Sequence, residues 1–72
     1  MDPDLTISTG PGNDGYEDDL DQVRALITGQ ASTVVIQSRT AAASDVMDIA
    51  VELGRGYTSE RLGGGWVKAT IT

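Results

Sequence analysis

Residues 32–55 set the strongest limit on what this chain can fold into. They read Ser-Thr-Val-Val-Ile-Gln-Ser-Arg-Thr-Ala-Ala-Ala-Ser-Asp-Val-Met-Asp-Ile-Ala-Val-Glu-Leu-Gly-Arg. Val34-Val35-Ile36 is a short β-branched run of the kind a strand buried on both sides carries. Val46, Ile49, Ala50 and Leu53 then recur at i, i+3, i+4 and i+7, the apolar stripe of an amphipathic helix. A tight Ser38-Arg39-Thr40 corner separates the two. A strand end, a basic residue and a helix start therefore meet in one place, which suits an anion.

The flanking segments supply partners for this unit. Leu5-Thr-Ile-Ser-Thr9 alternates apolar and polar residues, a short strand with one face inward. Gly10-Pro-Gly-Asn-Asp-Gly15 is made of turn residues. Tyr16, Leu20, Val23 and Ile27 predict a helix over 16–28. Glu17, Asp18 and Asp19 in its first turn complement its dipole, and Gly29 suits its C′ position. The second strand is expected over about Ser32 to Ser38. Thr40 is the expected N-cap of the second helix, with Ser44 as second choice, and that helix should end near Gly54. Tyr57–Leu62 and Trp66–Thr72 read as strands joined by Gly63-Gly-Gly65, a strong hairpin signal. Val67, Ala69 and Ile71 alternate there with Trp66, Lys68, Thr70 and Thr72. The expected order is β-α-β-α-β-β in one domain spanning residues 1–72. Right-handed crossovers make it an α/β two-layer sandwich, a four-stranded mixed sheet with both helices on one face. Val34, Ile36, Val46, Ile49 and Leu53 are the expected core.

Composition narrows the chemistry. With 72 residues, no Cys and no His, neither a disulfide nor a thiolate nor an imidazole is available. A chain this short buries only about 60% of its unfolded surface, so association is the remaining support and a homodimer is expected. The net charge is −6, from 11 acids and 5 bases. Asp2, Asp4, Asp14, Glu17, Asp18, Asp19 and Asp21 precede residue 22. Beyond it, Asp45, Asp48, Glu52 and Glu60 face all 5 bases. Excess Asp over Glu, a single Lys and no Phe resemble the bias of salt-loving archaeal proteins. No apolar run approaches a membrane span, and the acidic start lacks a signal peptide's basic and apolar regions. A cytoplasmic location without membrane contact is expected.

Few residues invite a functional reading. The loop at residues 10–15 has glycines at GxGxxG spacing, but it lacks the Lys-Ser/Thr pair of a P-loop, and Asp14, Glu17, Asp18 and Asp19 repel phosphate. Those acids also lack EF-hand spacing, so a solvated helix start is expected, with no metal. No catalytic set can be assembled, so neither an enzyme nor a cofactor is expected. Arg39 either pairs with Asp18 or Glu52 or meets a backbone phosphate. Trp66 at the hairpin shoulder is either core or a stacking and interface residue. Arg61 and Lys68 flank the same hairpin.

At the strand–helix unit the chain resembles the Alba family of archaeal chromatin and RNA-binding proteins. The resemblance is carried by Val35-Ile-Gln-Ser-Arg-Thr-Ala-Ala-Ala-Ser-Asp-Val-Met-Asp48, with Arg39, Ala42, Ser44 and Asp48 in register, and by Leu53-Gly-Arg55 at the helix end. Gly15-Tyr-Glu-Asp18 stands where that family has paired lysines. Ala41 replaces the second Arg of its corner, and Gly63-Gly-Gly65 replaces its long basic arm. The resemblance implies a dimer contacting phosphates through helix-one starts, the strand-two corner and the hairpin. A weaker similarity links Asp48–Ile71 to sulfur carriers of the TusA/SirA type, whose catalytic Cys is absent here. The expectation is weak binding to DNA or RNA through Arg39, Thr40, Arg61, Trp66 and Lys68. The rival is a protein-interaction or assembly module. Late bases gathered on one face favour binding, whereas bases each paired with a carboxylate favour the rival.

Overall fold

The computed structural model describes residues 2–72. Six elements follow in the order β1 (Leu5–Ile7), α1 (Tyr16–Gly29), β2 (Val34–Arg39), α2 (Thr40–Glu52), β3 (Tyr57–Gly63) and β4 (Trp66–Ile71). The sheet order is β1-β2-β4-β3. β1 runs parallel to β2, while β4 is antiparallel to both β2 and β3. β2 and β3 are thus parallel to each other, with β4 folded back between them. The crossovers β1-α1-β2 and β2-α2-β3 step the same way across the sheet. With one hand they place both helices on one face.

That face is the core. Val34, Ile36 and Ser38 of β2 lie opposite Ile71, Ala69 and Val67 of β4 and are all buried. Tyr16, Val23 and Ile27 of α1 and Ala42, Val46, Ile49 and Ala50 of α2 close over them. Four of the five expected core residues are fully inside. Leu53 is the exception and only half-buried, because it is the residue that ends α2 at the rim of the core. Val35, on the other side of β2, is also buried, as the unbroken apolar run requires.

The helix ends depart from expectation in instructive ways. Thr40 does not cap α2; it is its first helical residue, because β2 runs into the helix with no loop. Arg39 holds the cap position in extended conformation without a side-chain bond, and the Thr40 N–H donates to the Gly65 carbonyl at 2.9 Å. Gly29 does not turn left-handed; it stays within α1, and extended Gln30 ends the helix. The helix that does end on a left-handed glycine is α2. There Gly54 has φ +75°, its N–H donates to Val51, and the Arg55 N–H donates to Ala50, a Schellman closure.

The acidic turn 10–15 is closed by its own bonds. Gly10 N–H donates to Asn13 Oδ1 at 2.8 Å, and Asn13 N–H to the Gly10 carbonyl at 3.0 Å. Two contacts lock α1 to α2: the Tyr16 hydroxyl donates to Asp45, and Arg24 pairs with Glu52. Burial first, then the Asp45 bond and the charges of Asp45 and Glu17, push the Tyr16 phenol well above its ordinary value. The stability this contributes is complete below pH about 10, where an unfolded tyrosine also keeps its proton, and is lost as pH rises beyond. Tyr16→Phe should cost about 1 kcal/mol at neutral pH by leaving Asp45 unpartnered. Urea midpoints should fall between pH 9.5 and 11.5, by about these limits, more steeply in the parent than in this variant. Parallel curves would deny the bond its role.

Candidate nucleic-acid interface

No helix covers the other face of the sheet, where Val35 is buried and Gln37, Arg39, Trp66, Lys68 and Thr70 are partly exposed, and strand alternation decides what it presents. Three rows cross it. Arg39 lies opposite Trp66; Thr6, Gln37, Lys68 and Glu60 follow in register across all four strands; Val35, Thr70 and Thr58 form the third. A shallow hollow of about 300 Å³ opens on this face, lined by Thr58, Ser59, Glu60, Lys68 and Thr70.

Arg39 settles over Trp66, its guanidinium carbon 4.6 Å from the ring centroid. Such contacts are worth about 0.5–1 kcal/mol at exposed sites and leave the charge available. Its expected carboxylate partners do not take it: Glu52 is engaged by Arg24. The hairpin turn explains why the stack fits. A Cβ on Gly65 would lie 3.1 Å from Arg39 Nη2, and Gly65 has φ +83°, so glycine satisfies both the backbone and the neighbour. The Gly65 carbonyl that receives Thr40 N–H pins this turn to the start of α2. That bond also occupies the first helix donor, so Thr40 offers its hydroxyl and not its N–H to an anion.

The four late bases divide. Arg39 and Lys68 share the open face. Arg61 does not join them: it pairs in register with Val67, which puts it on the helix side of the sheet with Tyr57 and Ser59. A bulge between Arg61 and Gly63 follows it, so the flanking position in sequence does not translate into a shared surface. Arg55 is committed to backbone carbonyls of Ile27, Gln30, Ser32 and Thr72. Trp66 is half-buried, between its two expected roles.

The charges separate by layer. Among the described residues Glu60 is the one acid on a strand, while Glu17, Asp18, Asp19 and Asp21 lie on α1 and Asp45, Asp48 and Glu52 on α2. Arg24–Glu52 is the one ion pair among them, which leaves Arg39 and Lys68 outside salt-bridge distance of any carboxylate there. No three acids among the described residues are arranged to hold a metal ion, and no helix is long and apolar enough to cross a membrane. Comparison with protein-family models, curated proteins and solved structures finds no match to this chain.

Proposed function

We propose that this chain is a small, non-enzymatic, Alba-like nucleic-acid-binding protein that holds a phosphate backbone through Arg39 and Lys68 beside Trp66. One observation carries the reading. Arg39 and Lys68, neither of them in an ion pair, lie on the same open sheet face as the chain's single tryptophan, and seven of the 11 acids lie on the two helices. Arg61, on the helix side of the sheet, does not share that face, and Thr40 follows Arg39 at its margin. The net charge of −6 opposes a polyanion, so binding is weak and strongly salt-dependent. Arg39→Ala and Lys68→Ala should each weaken binding to DNA and RNA of any sequence. Each should lower the slope of log affinity against log salt by about one. Amide shifts titrated at several salt concentrations would measure both. If neither polymer moves any resonance, the assembly reading takes its place.

A second observation favours that rival. Met47 and Val51 are four residues apart on α2 and stand 40% and 63% exposed, an apolar strip on an otherwise acidic layer. It is a suitable seat for a second copy, which is where the expected homodimer is proposed to form. The halophilic reading rests on the same layer. Glu17, Asp21, Asp45 and Asp48 line one groove between the helices with Arg24, and salt should relieve their repulsion. Circular dichroism with light scattering from low to molar salt should record rising stability and a dimer mass. A salt-independent monomer would remove both proposals.

A further inference from the structure

Resting on the nucleic-acid reading, we infer that the open face takes a single strand and not a duplex, with a base against Trp66 and a phosphate at Lys68. Trp66, Lys68 and Thr70 occupy alternate positions of β4, so their side chains leave the same face at intervals of about 6.7 Å. That interval is close to the phosphate repeat of an extended single strand. Gln37 stands beside Lys68 in register and adds a donor and an acceptor to the middle row. Thr58 and Thr70 pair in the next row, where the hollow has room for a ribose or a base edge and two hydroxyls to meet it. Glu60, across from Lys68 on β3, repels phosphate on that side and directs the backbone toward β2.

A duplex fits this surface poorly. Its bases are stacked away, so the Trp66 ring gains nothing from it. Its major groove admits a helix or a two-stranded ribbon, whereas this is the broad face of a four-stranded sheet. Two cations also release few counterions, and stacking is the interaction that offsets this for unpaired bases. Arg39 already lies over one face of the ring, its guanidinium carbon 4.6 Å from the centroid, so the base stacks on the ring's other face or on the guanidinium plane itself.

Trp66 is the chain's one tryptophan, so its fluorescence reports the event directly. The full chain would be titrated at low salt with DNA and RNA oligonucleotides of about 12 nucleotides, single-stranded and annealed to their complements. Single strands should quench Trp66 and shift the Trp66, Lys68 and Thr70 amides. Duplexes at equal concentration should do neither. Trp66→Leu should weaken single-strand affinity about tenfold, the loss of one stacked base. The quenching arm needs no variant, so it stands even where that substitution disturbs the fold. Duplex and single strand bound alike, with Trp66 unquenched, would overturn the single-strand track and leave nucleic-acid binding intact. No change with any oligonucleotide would overturn both.

Discussion

Ile36→Ala should bring this fold to the edge of unfolding. Ile36 is wholly buried in β2, paired with Leu5 of β1 on one side and Ala69 of β4 on the other, and packed beneath the helices. Truncating such a side chain forfeits its transfer free energy and leaves a void that close packing cannot refill; the usual cost is about 2–5 kcal/mol. A chain of this length has a total stability of about 4–11 kcal/mol. A loss of about 3–4 kcal/mol, in the middle of the observed range, would consume a large share of it. The neighbours offer no relief: Ala69 is already small, and both flanking strands are held by ladder bonds. Val51→Ala, measured at protein concentrations below dimer formation, is the control, because Val51 is 63% exposed in the single chain and the change should there stay within about 0.5 kcal/mol. Urea unfolding followed by far-ultraviolet circular dichroism measures both. An Ile36→Ala midpoint as high as the Val51→Ala midpoint would place the core elsewhere.

The contrast between Ile36 and Leu53 marks how far the sequence could be read. Helical and strand periods report which side of an element faces inward, and Val23, Ile27, Val46, Ile49, Val67 and Ile71 obeyed them. The hairpin was announced by its glycines, which make β3 and β4 neighbours; that β4 and not β3 then pairs with β2 is a choice those glycines do not announce. Periodicity carries no information on how far along an element the partner layer extends, so Leu53 fits the stripe yet sits at its rim. Helix ends follow the same logic. Gly54 supplies α2's closure locally, whereas Gly29 is relieved of that task by a residue 26 positions away, which no local signal announces. The candidate interface was legible only as a set of residue types. Arg39 was readable as a base at a corner, either paired with a carboxylate or open to a phosphate, but its seat on Trp66 depends on the antiparallel register of β2 and β4. Arg61 was assigned to the wrong company because neighbouring strand positions point to opposite faces, and the bulge before Gly63 hides which one.

Arg55→Ala should be the most damaging change at a polar side chain. Directly after the Schellman turn of α2, Arg55 spreads its guanidinium over four carbonyls on three separate segments. Nε donates to Thr72 at 2.6 Å, Nη1 to Ile27 at 2.9 Å and Gln30 at 2.7 Å, and Nη2 to Ser32 at 2.9 Å. It thereby caps the C-terminus of α1, where a cation also meets the negative end of the dipole, and ties it to the loop before β2 and to the chain end beyond β4. Hydrogen bonds from a charged donor contribute about 1.5–3 kcal/mol each when sheltered. Here the side chain is half-buried and water can reach several of the carbonyls, so the expected total is about 2 kcal/mol. Arg55→Lys should recover less than half of that, since a compact ammonium cannot span acceptors that the planar fork reaches together. The loss should also persist in molar salt, because the acceptors are neutral carbonyls. Arg24→Ala, which removes an exposed ion pair, should cost under about 1 kcal/mol and vanish on screening. Thermal unfolding of the three variants at low and high salt separates these cases. A cost at Arg55 that disappears with salt, or full recovery by lysine, would reduce it to an ordinary surface charge.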